Sequence, residues 1–530
     1  MERTTYNAVP EPMVNSRGRT VGIVDVVVVG AGAAGCAMAA RLAAAGSASV
    51  LLLEAGPDRR ANPPTGVRDG WGISREEIDW GYRSEPDAKG VVRNVWRSRL
   101  VGGTSWLTRF ALRGSPADFD DWAALGNPGW AFDDVLPYFN SIETDVEFGH
   151  QPWHGGDGPM PVTRYPEIEY SEVCAAAMAA AEAAGFPAVA DHNEPGATGV
   201  GRMPMSSRDG LRVTSADAYL PVGLTPPTLA IQGDTEVAEV LFDGSRARGV
   251  RLVDGGVVEA GCVVLCAGVY GSPAILMRSG VGPADHIRSL GIPVRIDLPG
   301  VGASLADHPS VAVDCGYRGP GRIAPLLHAP VTFHSSATPT DKAPDLMFWL
   351  SDPEGDPPVF EIGVLLLKPA SRGAVRLRSA DPREAPLITL PSLDDRTDVE
   401  RLGEGYRRAL EVAQDPQVRA LCAADPPSET RDTEALLEMI RDEAFSVPHV
   451  VGTCSMGPLP DEGAVVDAFG RVHATEGLTV ADASIMPDAP SGFTHFPTIM
   501  IAERLAEFVV SPESPTHSRF RDGSVAEKRS

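Results

Sequence analysis

The chain predicts an α/β fold, α+β overall. One discontinuous domain should hold a buried parallel sheet, and a second domain should hold an antiparallel sheet flanked by helices. Three observations carry this reading. A valine-rich run, Val24-Asp-Val-Val-Val-Val, passes straight into Gly30-x-Gly32-x-x-Gly35, and such a run suits a strand buried on both faces of a parallel sheet. Similar runs return at Cys262-Val-Val-Leu-Cys-Ala-Gly and at Leu478-Thr-Val-Ala-Asp, far along the chain. Between them, residues 311–400 alternate short apolar runs with turns, as in Gly373-Ala-Val-Arg-Leu-Arg, the pattern of antiparallel strands. A strand-glycine-helix-strand unit at one end that is completed at the other is a discontinuous, Rossmann-like arrangement.

The first unit spans about Val21 to Gly56. Gly30 permits a tight turn, Gly32 lets the backbone approach a pyrophosphate, and Gly35 lets helix and strand pack closely. Ala33 and Ala34 fill the two free positions of the fingerprint. A helix from Ala37 to Ala45 should offer its N-terminus to the phosphates. Leu51-Leu-Leu reads as the second strand, and Glu54, followed by Ala55, stands where an acid binds ribose hydroxyls. A long irregular stretch rich in Trp, Pro and Gly reaches to about Pro161. Helices are expected over Tyr170 to Ala184, Asp398 to Ala413, Thr433 to Glu443 and Pro497 to Val509. Strand-like pieces lie at Leu229-Ala-Ile-Gln and Glu236-Val-Ala-Glu-Val-Leu-Phe. Phe348, Trp349 and Phe360 in the middle region read as core, with pocket lining as the alternative.

Composition narrows the function. At 530 residues the chain is long enough for two or three domains. The formal charge of −25 argues against nucleic acid and anionic membrane surfaces as partners. No apolar run has the ~18 residues of a membrane span. Met1 to Thr20 mixes charge and proline and lacks the apolar region of a secretory signal. Seven scattered cysteines form no zinc-spaced cluster, so no metal site is expected. Together with the missing signal they point to a reduced cytoplasm.

Four further motifs carry chemistry. Arg99-Leu-Val-Gly-Gly-Thr-Ser-Trp suits a backbone pressed against a flat ring or a phosphate, or simply a tight turn. Ala267-Gly-Val-Tyr-Gly-Ser-Pro reads as strand end, turn and helix start. Pro448-His-Val-Val-Gly-Thr-Cys-Ser-Met-Gly and Ser491-Gly-Phe-Thr-His-Phe-Pro-Thr place His449 and His495 in loops flanking the returning strand. A neutral imidazole, with a reference pKa near 6.5, suits proton abstraction at neutral pH.

Together these residues resemble the glucose-methanol-choline (GMC) flavoprotein oxidoreductases, from about Val24 to Phe508. Gly268 to Gly282 is similar to the family's second signature, with Val269 where a small residue is usual. Arg99 to Trp106 is similar to the first. Phe119 to Trp130, Val135-Leu-Pro-Tyr-Phe, Pro299-Gly-Val-Gly-Ala-Ser-Leu-Ala-Asp-His and Met500-Ile-Ala-Glu-Arg-Leu-Ala fit the family as well. Within it the chain is nearest in character to bacterial alcohol oxidases and dehydrogenases, including hydroxymethylfurfural-oxidase-like members. The resemblance implies FAD, with Gly30, Gly32, Ala33, Ala34, Gly35, Glu54 and Ala55 at its ADP half. Gly102, Gly103 and Ser105 line the flavin side, Val237 contacts adenine, and Ala267, Asp482 and Ala483 serve the ribityl-pyrophosphate region. His495 and Pro497 are also placed at the cofactor, Pro497 at the start of the final helix, whose positive end is expected at the flavin.

The same resemblance implies oxidation of an alcohol to a carbonyl compound, with a hydride passing to flavin N5. His449 is expected as the principal base and His495 as the partner that orients the alkoxide. The partners are then a small-molecule alcohol and molecular oxygen or another electron acceptor, with the oligomeric state open. After Gly103-Thr-Ser the family pattern expects Asn, whereas this chain has Leu107-Thr-Arg-Phe and no histidine in the loop. Noncovalent FAD follows. A hydroxynitrile lyase-like FAD protein and a flavin-dependent tailoring protein with a modified site are the alternatives. The expected layout has a flexible extension over 1–20 and a disordered tail over 511–530. The FAD-binding domain takes 21–160, 206–310 and 461–510, and the substrate domain takes 161–205 and 311–460.

Overall fold

The computed structural model describes residues 21–64, 66, 68, 77–321, 327–427 and 432–510. The expected extension over 1–20 and tail over 511–530 lie outside the described residues.

The valine run forms strand Val21–Val29, and Val27 and Val28 are wholly buried. It sits mid-sheet, pairing in parallel with Val50–Leu53 on one side and Val257–Leu265 on the other. The full order is Leu229–Gln232, Val50–Leu53, Val21–Val29, Val257–Leu265, Arg246–Leu252 and Val237–Asp243. Strand Val257–Leu265 has two partners on its far edge. Its start pairs antiparallel with Gly249–Arg251, and its end pairs in parallel with Leu478–Val480. Segments from three distant parts of the chain therefore complete one sheet.

The second sheet runs Phe445–Ser446, Pro309–Gly316, Val359–Leu366, Leu346–Ser351, His328–Phe333, Gly199–Gly201 and Ala188–Val189. It is antiparallel except for its last pair. Phe348 and Phe360 are fully buried in it, in a core separate from that of the first sheet. Helix Arg396–Ala413 lies on this sheet with Val399, Leu402 and Ala409 buried. Its Gly405 leaves room for the sheet: a Cβ there would stand 2.6 Å from Val364 Cγ1.

Several expectations are corrected. The first helix is Ala33–Ala44, with Gly32 as its N-cap, and starts four residues before the expected Ala37. The final helix is His495–Val510, so His495 opens a helix rather than sitting in a loop. Helix Gly268–Arg278 carries Pro273 inside it rather than at its start. The stretch before Pro161 is not wholly irregular. It holds helices Pro116–Ala124 and Phe132–Ile142. The first of these has a Ser115/Asp118 capping box and Pro116 in its first turn, a start signal that lies in plain view in Ser-Pro-Ala-Asp. Ala374–Arg376 pairs with Leu387–Thr389 in a separate ribbon instead of joining the sheet. All seven cysteines are free thiols; Cys266 is buried and Cys262 half-buried.

Candidate active site

A cavity of about 720 Å³ is lined by both sheets. Its glycine-rich wall is built from backbone. Each fingerprint glycine has its own physical reason. Gly30 has φ +93, and a Cβ there would meet the Cys266 carbonyl oxygen at 2.5 Å. Gly35 packs on Gly30, where a Cβ would come within 1.8 Å of the Gly30 carbonyl oxygen. Gly32 lines the cavity, and a Cβ there would meet nothing within 4 Å. The space beside Gly32 is open and belongs to the cavity. No side chain caps the helix that starts there, and no acidic residue stands in its first turn. The free N–H groups and helix dipole therefore favour an anion.

The second glycine cluster docks on the first. Gly102 N–H donates to the Ala31 carbonyl at 2.7 Å, and a Cβ on Gly103 would stand 2.7 Å from Gly32 Cα. Ser105 Oγ donates to the Gly102 carbonyl and accepts from Ser215 N–H. Glu54 is buried at the end of its strand, and its two oxygens accept from Ala31 N–H and Gly56 N–H, each at 2.9 Å. Burial pushes its carboxyl above the ordinary range, and those two N–H groups oppose the rise. Asp482 ties the Ala267–Pro273 motif to the strand that returns at Leu478. One oxygen takes Gly268 N–H and Ser272 Oγ–H, and the other takes Ser484 N–H.

Gly30, Gly32, Ala33, Ala34, Glu54, Ala55, Gly103, Ser105, Val237, Ala267, Asp482, Ala483, His449 and His495 all line this one cavity. Three expected site residues do not. Gly35 is spent on packing against Gly30, and Gly102, at φ +104, is packed against Trp106. Pro497 is buried on the flank of the final helix, where Thr494 just before it and His495 and Thr498 within it face the cavity instead. That spacing is one helix face.

The opposite end of the cavity is built from side chains. Phe110 meets Trp349 at 4.8 Å and Phe493 at 5.3 Å between ring centroids, and Phe493 meets His449 at 4.7 Å. Trp349 thus lines the pocket, while Phe348 and Phe360 are core. The roles of Phe110 and Phe493 were not read from the sequence; the only signal was their closeness to the altered Leu107-Thr108 loop and to His495. His495 Nε2 lies 3.3 Å from Ser215 Oγ. Burial lowers His495 to about 4 and takes His449 well below the usual histidine range, with His308 and Arg97 adding to the latter. Both imidazoles are therefore neutral at pH 7.

Glu143, Asp145 and His154 bring three ligand-type atoms within 4.8 Å of one another. Arg113, Arg164 and Asp191 are bonded into the same cluster. Burial alone would lower His154, but its bonds to Asp191 and Glu143 outweigh that and hold it above the usual value. Three acids then face two arginines and a histidine whose charged form the acids favour.

The GMC oxidoreductase family profiles match residues 24–310 and 369–502. The 5-(hydroxymethyl)furfural oxidase of Methylovorus sp. (strain MP688) is 33% identical over 92% of this chain and 99% of its own. The oxygen-dependent choline dehydrogenase of Pseudomonas fluorescens (strain Pf0-1) is 34% identical over 91% of this chain and 93% of its own. Among solved structures, pyridoxine 4-oxidase from Mesorbium loti superposes with a TM-score of 0.83 at 29% identity, covering 91% of this chain and 98% of that one. This chain belongs to the GMC oxidoreductase family, an enzyme family of FAD flavoproteins. Among the described residues no helix is long and apolar enough to cross a membrane.

Proposed function

We propose that this chain oxidises an uncharged, planar alcohol to the carbonyl compound, with noncovalently held FAD and with oxygen or another acceptor taking the electrons onward. The carrying observation is that His449 and His495, from separate elements, both face a cavity whose other wall is the uncapped glycine cradle. That cradle fits FAD: an open face at Gly32 and uncapped helix N–H groups for the pyrophosphate, and the Glu54 carboxylate for a ribose. The loop 99–113 offers no histidine or cysteine to attach it. Bound FAD supplies the hydride acceptor. His449 takes the hydroxyl proton, and His495 hydrogen-bonds the same oxygen and fixes its direction. A positioned base of this kind contributes typically ~10²–10⁴-fold.

The substrate class follows from the walls. Phe110, Trp349 and Phe493 present ring faces and edges and no charge beside His449; of the carboxylates that line the cavity, Glu54 and Asp482 stand at the glycine cradle, Asp79 accepts from backbone N–H groups and Glu236 pairs with Arg99. A quaternary ammonium alcohol gains little carboxylate pairing there; a flat ring bearing a hydroxymethyl group gains stacking. Anaerobic mixing of the purified flavoprotein with benzyl alcohol, 5-(hydroxymethyl)furfural, pyridoxine and choline tests this. Bleaching of the flavin by the ring alcohols and not by choline is expected. No bleaching by any alcohol, with release of cyanide from mandelonitrile instead, would establish the lyase reading.

A further inference from the structure

His308 lies outside the cavity lining, yet its ring meets that of His449 head to head. The two Nδ1 atoms are 3.1 Å apart, with ring centroids at 5.2 Å and ring planes nearly perpendicular. We infer that His308 is a positioning residue that sets the tautomer of His449, holding the proton of His449 on Nδ1 and leaving its Nε2 lone pair for the substrate hydroxyl. This rests on the reading of His449 as base.

The argument is one of proton counting. Two neutral imidazoles carry one N–H and one lone pair each. A 3.1 Å contact between two ring nitrogens requires one proton between them, so one ring donates and the other accepts. Which ring donates follows from the role of His449. The His308 side chain is wholly buried, and its Nδ1 is committed to His449. For His449 Nε2 to take the hydroxyl proton, the proton His449 already carries must sit on Nδ1. His308 Nδ1 is then the acceptor, and the His308 proton lies on Nε2, a buried atom with no hydrogen-bond partner among the described residues. His449 therefore donates from Nδ1. Its Nε2 makes no hydrogen bond among the described residues, and the ring lines the cavity. When the substrate O–H bond breaks, the proton forms the new bond to His449 Nε2 and the electron pair stays on oxygen. The Nδ1–H of the resulting imidazolium still points at the His308 lone pair, which stabilises the charge.

The chain around the pair keeps this geometry. Asp307 Oδ1 accepts from both His308 N–H, at 2.8 Å, and His449 N–H, at 2.7 Å. Its Oδ2 accepts from Ser446 Oγ. Consecutive residues Asp307 and His308 therefore grip the backbone and the ring of His449 from one strand entry. The charged groups facing the pair are Lys368 and Asp488 beside His308 and Arg97 beside His449. Burial, with Lys368 adding, lowers His308 to about 4, so it stays a neutral acceptor in the working pH range.

The test reads the tautomer directly. In FAD-loaded protein labelled with ¹⁵N-histidine, the resonances lost in His449→Ala identify His449. Protonated Nδ1 with unprotonated Nε2 is the expected pattern; a protonated Nε2 overturns the inference. In parallel, His308→Leu should reduce its flavin about 10- to 100-fold more slowly with the fastest alcohol of the panel above, by analogy with the loss when the hydrogen-bond partner that orients a metal-bound histidine is removed. Its acid limb should move from the wild-type position, because His308 bears directly on the charged form of His449. His308→Gln, whose amide oxygen can accept from Nδ1–H, should recover part of the rate. A His308→Leu variant with wild-type rate and pH profile, or a loss that only tracks lost FAD, overturns the proposal. If His449→Ala itself reduces flavin normally, it is the assignment of the base that fails, which separates the two outcomes.

Discussion

The two ends of the cavity are made of different material. The cofactor end is backbone: glycines, uncapped helix N–H groups and two carboxylates held by N–H donors. The reacting end is side chain: three aromatic rings and two histidines at positions 110, 349, 449, 493 and 495, of which Trp349 stands on strand Leu346–Ser351 and His495 opens the final helix. A backbone wall needs particular residues at fixed spacing, because a single Cβ closes it. A side-chain wall needs only that distant chain segments arrive together, so its members carry no local pattern.

The sharpest way to break this contrast is at the reacting end. His449→Ala should keep FAD and reduce it at least ~100-fold more slowly, with His495→Ala also impaired and His495→Asn less so. Stopped-flow traces under anaerobic conditions measure this, and a wild-type rate for His449→Ala would remove the base. Because burial holds both histidines low, the acid limb of the wild-type profile should lie below pH 6.5.

At the cofactor end, one methyl group should have opposite consequences three residues apart. Gly35→Ala drives its Cβ into the Gly30 carbonyl and should yield little folded protein, whereas Gly32→Ala enters open space and should fold but lose FAD. Circular dichroism and the flavin-to-protein absorbance ratio tell the two apart. Equal FAD occupancy in Gly32→Ala and wild type would show that no cofactor lies against that face. Glu54→Gln, next in size, should weaken FAD retention on dilution, since a charged acceptor is replaced by a neutral one.

Phe110→Ala should raise KM for ring alcohols more than it lowers kcat, as it removes a wall and no proton carrier. A loss confined to kcat would contradict the stacking role.

The smallest effect expected lies away from the cavity. Glu361 faces Asp314 across two strands of the second sheet, and burial, with Asp314 and Glu354, raises it to about 7. Its unfolded value is near 4.5, so the folded state binds the proton longer. The stability this gives is present below about pH 4.5 and is lost as pH rises through 7. Glu361→Gln should therefore match wild type in Tm at pH 4.5 and exceed it by a few degrees at pH 8. An advantage that shrinks with rising pH would refute the assignment.

The same contrast explains what could be read in advance. Gly30, Gly32 and Gly35 were legible because turn geometry and close approach dictate residue type, and Glu54 because it ends the next strand; Asp482 came only with the family resemblance. The paired sheet strands were legible because burial on both faces leaves an apolar run. Helix Pro116–Ala124 was obscured by the Trp, Phe and Gly around it, although its capping box was in view. Phe110, Phe493 and His308 were not legible as site residues. Nothing local tells a ring in a core from a ring in a wall, and the His308–His449 contact spans 141 positions of sequence.

The sheet edge at Val257–Leu265 has a temporal consequence. Its end is completed by Leu478–Val480, and Asp482 from the next turn ties down Gly268. During synthesis the glycine fingerprint leaves the ribosome more than four hundred residues before those partners. At ~5–20 residues per second, the nascent chain spends tens of seconds with half a cradle. On the cofactor site proposed above, flavin loading would follow translation, and a chain stalled short of its last strand would carry no cofactor.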